Sequence, residues 1–200
     1  MKLIAHRKNT LQALRDTPVA YGVEIDIRSI GERLVIHHDP YVAGESFDEW
    51  IAAYRHGTLI LNVKEEGLEA RLIALMQQHQ IADYFFLDQS FPFLIKWSRM
   101  GEKRCAVRVS EFESIDTALS LAGKVDWVWV DCFNHFPLLG HDAQRLQEAG
   151  FKLCLVSPEL QGRDAATGIP AMARLLAERG IVMDAVCTKQ PALWSALERS

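Results

Sequence analysis

Apolar, strand-like runs recur along this chain at a nearly even interval, at residues 2–6, 22–28, 58–64, 84–90, 104–110, 125–133, 152–157 and 184–188. Consecutive runs begin about 20 to 36 residues apart, which leaves room for one helix in each gap. The gaps carry helical spacing, as in Leu68, Leu72, Leu75 and Met76, or Ile169, Met172, Leu175 and Leu176. Helices are expected near 46–56, 67–80, 91–100, 113–123, 141–149, 168–180 and 191–199. Ser46, Asp48 and Ser114 supply polar starts, and Gly101, Gly123, Gly150 and Gly180 supply stops. No long linker, low-complexity tract or internal repeat interrupts the pattern. Eight strands alternating with helical segments within 200 residues predict an α/β chain forming one small (β/α)8 barrel, the TIM-barrel architecture, over residues 1–200.

Composition narrows the partners. An apolar content of 49% with 24% charged residues is that of a globular chain, and a net charge of -4 with a pI near 6.0 lacks the basic stripe of a nucleic-acid binder. The first apolar run is too short for a signal-peptide core, and no stretch reaches the ~18 apolar residues of a membrane span. A cytoplasmic protein acting on a small molecule is expected. Cys105, Cys132, Cys154 and Cys187 lie in separate strand-like runs without a Cys-x-x-Cys pair, and read as buried, reduced thiols.

Both faces of a barrel strand should be apolar, because one packs into the interior and the other on the helices. Several strands break that rule. Glu24, Asp26 and Arg28 share one face of the second run, opposite Val23, Ile25 and Ile27, and Asn62, Lys64 and Glu66 oppose Leu61 and Val63 in the third. Asp88, Arg108, Ser110, Asp131, Ser157 and Lys189 continue the habit near the carboxyl ends of later strands, where barrels of this kind place their chemistry. An unpaired buried charge costs several kcal/mol, so a cluster of both signs implies mutual pairing, a metal or a charged ligand. Internal ion pairs suit Arg108, Asp88 and Asp131 as well as a pocket does. Glu24 and Asp26, two residues apart on one face, call for a cation between them, and a hard divalent ion, Mg²⁺ or Ca²⁺, meets that need. His6 follows the first strand. A hairpin centred near Glu32 pairs positions summing to about 64, which sets His38 opposite Asp26 and turns His37 to the other side.

His6-Arg7 with Asn9-Thr10, Glu24-Ile25-Asp26, His38-Asp39 and Lys64, in that order, resemble the motifs of the glycerophosphodiester phosphodiesterase family, within the phospholipase C-like phosphodiesterase superfamily of (β/α)8 proteins. The resemblance implies a metal-dependent hydrolase of phosphodiesters. It implies His6 and His38 as general acid and base, Glu24 and Asp26 as metal ligands, and Arg7 and Lys64 as cations facing the phosphoryl oxygens. The chain departs from the pattern in three places: Lys8 stands where glycine follows His-Arg, the insertion after His-Asp is missing, and the third metal carboxylate is Asn62. An amide oxygen ligates Mg²⁺ or Ca²⁺ without bringing charge. Asp88 on the adjacent strand is the expected replacement, with Glu66 as the other carboxylate of suitable parity. Two further readings use the same residues: a catalytically impaired, phosphate-binding barrel of this family, and a metal-dependent aldolase or isomerase.

Overall fold

The structure is a computed structural model that describes residues 1–197; the last part of the helix expected at 191–199 lies outside the described residues. The chain is mixed α/β and divides into two compact units, one of residues 4–100 and the other of residues 1–3 with 101 onward. All eight expected strands are present, together with the second arm of the expected hairpin and one further two-residue strand.

In chain order the elements up to residue 100 are β1 (Lys2–Ala5), α1 (Leu11–Arg15), β2 (Gly22–Ile30), β3 (Arg33–Ile36), β4 (Glu45–Ser46), α2 (Phe47–Ala53), β5 (Leu59–Val63), α3 (Glu69–Gln78), β6 (Tyr84–Leu87) and α4 (Phe91–Arg99). β2 organises this unit. β5 runs parallel along one edge of it, from Val23↔Leu59 to Ile27↔Val63, and β6 continues outward from β5. The other edge is shared: Ile4 and Ala5 pair in parallel with Gly22 and Val23, and β3 pairs antiparallel higher up. Gly22 is required at the crossing, since a Cβ there would stand 2.5 Å from the Thr58 carbonyl oxygen.

The hairpin register differs from expectation by one residue. Ile30 pairs with Arg33 and Ile27 with Ile36, so positions sum to 63 and the loop is the two-residue Gly31-Glu32, with Gly31 at φ 59°. A one-residue shift exchanges the faces. His37, whose N–H donates to the Asp26 carbonyl, therefore stands opposite Asp26, and His38 lies one step beyond the ladder.

The apolar side of β2, Val23, Ile25 and Ile27, is completely buried, as are Phe47, Trp50 and Ile51 of α2. Trp50 also donates its indole N–H to the Lys8 carbonyl at 2.9 Å, tying α2 to the loop after β1. Truncating it to alanine would remove both, at about 3–5 kcal/mol. Ser46 caps α2, and Thr10 caps α1 through the Ala13 N–H at 3.0 Å. The five-residue α1 has too few positions for a periodic signal, which is why no helix was expected before residue 46.

The second unit contains β7 (Ala106–Val109), α5 (Ile115–Leu119), β8 (Trp127–Val130), α6 (Gly140–Glu148), β9 (Lys152–Val156), α7 (Ala165–Glu178), β10 (Ala185–Thr188) and α8 (Pro191–Leu197). Its strands are parallel in the order β7-β8-β9-β10. Helix α5 is shorter than the expected 113–123, though Ser114 does cap it. The four cysteines are free and buried, and burial pushes the Cys154 thiol far up, leaving it inert. Among the described residues no helix is long and apolar enough to cross a membrane.

Candidate active site

Glu24 and Asp26 rise side by side from β2, and almost nothing of either is exposed. Their partners come from the two flanking strands and from the loop after β1. Asn62 on β5, in register with Asp26, donates its amide to Glu24 Oε1 at 2.9 Å. The Arg7 backbone N–H donates to Glu24 Oε2 at 2.8 Å, and Lys8 N–H donates to the Glu24 carbonyl at 2.8 Å. His6 Nε2 lies 3.7 Å from Glu24 Oε2. Asn9 clamps Asp26 at two points: its amide donates to Asp26 Oδ2 at 2.8 Å and its carbonyl oxygen accepts the Asp26 N–H at 3.0 Å. Two cations complete the neutralisation, Arg7 Nε at 3.5 Å from Asp26 Oδ2 and Lys64 Nζ at 3.3 Å from Asp26 Oδ1.

The loop that delivers these groups is held under tension. Arg7 has φ 50°, a left-handed conformation that a residue with a β-carbon adopts at a cost of about 1–2 kcal/mol. That turn carries the backbone N–H of Arg7 onto Glu24. Strain retained where several polar groups meet is a mark of a functional site.

Burial and, next, the negative charge of Asp26 push the Glu24 carboxyl up to about 7, against the opposing hydrogen bonds from Asn62 and Arg7 and the Lys64 charge. Glu24 thus holds its proton near neutrality unless further positive charge arrives. Two oxygens here have no hydrogen-bond partner although both are buried: Asp26 Oδ1, which has only the Lys64 ion pair, and Asn62 Oδ1.

These orphaned oxygens bear on the divalent ion expected from the sequence. Among the described residues no group of three His, Cys, Asp or Glu side chains is disposed to hold a metal. The set that fits is instead two carboxylates and one amide, Glu24, Asp26 and Asn62, all oxygen donors of the kind that Mg²⁺ and Ca²⁺ take. Asp88, expected as the replacement carboxylate, stands against Lys64 with Oδ2 3.2 Å from Nζ. Glu66 accepts from the Ser90 hydroxyl.

His38 sits on the loop after β3, partly exposed, without a contact to Glu24 or Asp26. Its Nδ1 is 2.7 Å from Asp39 Oδ1, and this hydrogen bond, partly opposed by desolvation, holds the Asp39 carboxyl below its usual range. The pairing orients the imidazole and leaves Nε2 outward. The His38 carbonyl accepts from Arg28, so the loop is anchored on β2 as well. Asn9 and Asp39 were quoted in the motifs without a role. Their adjacency to Arg7 and His38 was the available signal, but their partners depend on the fold.

Arg108 and Asp131 belong to the second unit. Asp131 is buried, with Oδ2 paired to Arg108 Nη1 and Oδ1 accepting from Gln161 Nε2 at 2.6 Å and from the Cys132 N–H at 2.9 Å. Every acceptor of this carboxylate is engaged, which makes the pair an internal ion pair of its own unit.

Fold and site together define an α/β protein whose parallel strands bring acids, imidazole and cations to the carboxyl end of one sheet, a setting suited to an anionic group. Among solved structures the fold is similar to that of a glycerophosphodiester phosphodiesterase from Agrobacterium tumefaciens, with a TM-score of 0.68 and 15% identity over 98% of this chain and 99% of that one. A further Agrobacterium tumefaciens structure, assigned as a glycerophosphoryl diester phosphodiesterase, matches with a TM-score of 0.71 and 15% identity over 100% and 97% of the two chains. A glycerophosphoryl diester phosphodiesterase from Parabacteroides distasonis gives 0.64 and 14% over 95% and 83%. No protein-family model matches the sequence, and no curated protein matches it.

Proposed function

We propose that this protein is a phosphoric diester hydrolase of glycerophosphodiesterase type, dependent on Mg²⁺ or Ca²⁺ and built on a (β/α)8 framework. The observation that carries the proposal is the convergence of His6, Arg7, Glu24, Asp26 and Lys64, within 4 Å of one another pairwise along the cluster, on a fold shared with glycerophosphodiester phosphodiesterases.

A phosphodiester resists attack because its anionic oxygens repel the nucleophile and because an alkoxide leaves poorly. Arg7 and Lys64 answer the first difficulty by facing the non-bridging oxygens. His6 and His38 answer the second as an acid and base pair, one taking the proton of the attacking hydroxyl and the other giving one to the leaving oxygen. Asp39 holds His38 in one orientation by a hydrogen bond, and His6 stands beside Glu24 with Nε2 3.7 Å from Oε2. Glu24, Asp26 and Asn62 would hold the divalent ion, which supplies charge neutralisation of the phosphoryl group when bound.

Metal-stimulated release of p-nitrophenol from bis(p-nitrophenyl) phosphate, lost in His6→Ala, is the expected result. One observation favours a second reading, a phosphate-binding protein without turnover: the Asn62 amide donor occupies Glu24 Oε1, an oxygen that a bound ion would otherwise take. Phosphate binding with no hydrolysis of any diester at saturating Mg²⁺ or Ca²⁺ would establish that reading instead.

A further inference from the structure

Asp88 follows the last residue of β6 with φ 59°, inside the left-handed region that β-carbon-bearing residues avoid and that Asp and Asn tolerate best. In this conformation its Oδ2 accepts from Lys64 Nζ at 3.2 Å. The same ammonium lies 3.3 Å from Asp26 Oδ1. Lys64 itself stands one residue beyond β5, its N–H fixed to the Ile27 carbonyl at 3.0 Å. A lysine head on four rotatable bonds is not aimed by one carboxylate, since rotation about that contact remains open. A second carboxylate on the neighbouring strand removes the freedom. Asp88 and Asp26 face two of the three N–H donors of the ammonium, and the third stays available to an anion. A cavity of about 300 Å³ opens on the far side of the pair, where Glu65, Glu66 and Glu69 line it beside Lys64 and Asp88, so an anion meets the ammonium from the Asp26 side and not from this acidic one.

We propose that Asp88 is a positioning residue for Lys64, holding the ammonium where it meets a phosphoryl oxygen, and that its left-handed backbone is retained for this contact and not for a place in the metal set beside Asn62. The inference rests on the reading of Lys64 as a phosphate-facing cation. It assigns Asp88 a duty distinct from Glu24 and Asp26 although all three are carboxylates at strand ends.

Asp88→Gly and Asp88→Asn test it. Glycine accepts the left-handed conformation without a β-carbon, so Asp88→Gly keeps the turn while removing the carboxylate, and should weaken inorganic phosphate binding roughly tenfold and raise KM for a diester by a similar factor. Asp88→Asn, which keeps the shape and the tolerance for positive φ, should weaken phosphate binding in the same direction. Mg²⁺ affinity by calorimetry should stay at the wild-type value in both. Weaker phosphate binding in a variant that keeps the left-handed turn and the wild-type Mg²⁺ affinity cannot come from a distorted backbone or a damaged metal set. A tenfold loss of Mg²⁺ affinity with unchanged phosphate binding would overturn the inference and make Asp88 a ligand. Unchanged phosphate affinity and KM in Asp88→Gly would overturn it too, as would wild-type protein that binds no phosphate. If the wild type binds phosphate but cleaves no diester, the proposed hydrolase falls while the phosphate affinities of the variants still decide the role of Asp88.

Discussion

Glu24 in the unit of residues 4–100 and Glu111 in the other unit are both withdrawn from water, yet their protons respond in opposite ways. At Glu24 burial comes first and the adjacent Asp26 second, and together they push the carboxyl up to about 7. At Glu111 burial also pushes upward, but the backbone N–H groups of His135, Asn134 and Phe133 converge on the two oxygens and pull the carboxyl down to about 2. The surroundings differ in the same sense. Asp131 is saturated by Arg108, Gln161 and Cys132, and Glu159 collects Ser157, Thr188 and the Lys189 N–H. Among the described residues, no buried side-chain polar atom of that unit lacks a hydrogen-bond partner, whereas Asp26 Oδ1 and Asn62 Oδ1 in the other unit do. A closed network rigidifies a fold, and one left short of partners carries free energy that a bound ligand can recover. Polarity at strand ends is therefore no sign of a site by itself; at Asp26 and Asn62 it comes with incomplete satisfaction, which buried atoms away from the cluster, such as His56 Nδ1 and Trp97 Nε1, also show.

The sharpest way to break this contrast is His6→Ala or His38→Ala. Each should lower kcat/KM for a diester by about 10²–10⁴ while leaving the melting temperature within a few degrees of the wild type. Asp131→Ala should do the reverse. It vacates a buried position and removes one partner of Arg108, which keeps Glu113 at 3.9 Å, and should cost about 2 kcal/mol in urea unfolding, with the folded fraction keeping its kcat/KM. Activity lost in Asp131→Ala without a change in stability would erase the distinction between the two clusters.

Glu24→Gln in the presence of a chelator gives an effect with a defined sign. In the native chain Glu24 keeps its proton at pH values where the unfolded chain has released it, so its contribution is fully present below about 4.5 and is lost as the pH rises through about 7. Metal-free wild type should lose stability on the order of 2 kcal/mol between pH 5 and 8, and Glu24→Gln should flatten that slope. Glu111→Gln should act on the opposite limb with the least effect. The stability due to Glu111 is present above about 4.5 and lost as the pH falls toward 2, so the variant should shift the acid unfolding midpoint less steeply with pH than wild type does.

The strand order was legible because parallel strands buried on both faces must be written in Val, Ile, Leu and Phe, and because glycine stops such as Gly101 and Gly150, with φ of 91° and 90°, are needed to end helices cleanly. The juxtaposition of Glu24, Asp26, Asn62 and Lys64 was legible for the same reason, since β2 and β5 are neighbours and parity sets the face. His38 was placed one residue wrongly. The turn residues alone do not say whether the loop has two residues or three, and the two-residue loop won because its twist matches that of the strands. Asn9 on Asp26, Asp39 on His38 and Asp88 on Lys64 were not legible as contacts, because each depends on a loop conformation, left-handed at both Arg7 and Asp88, that no periodicity encodes.

By itself, then, the sequence determined an α/β chain of eight main strands alternating with helices, and the acids, cations and histidines available at their ends, because hydrophobic period and side-chain parity are local properties of the chain. Only the tertiary structure decided which of those charges cancel one another and which are left with unspent bonds. That outcome depends on distances of a few ångströms between residues far apart in sequence, where the Arg108–Asp131 pair closes on itself and the Glu24–Asp26 pair does not.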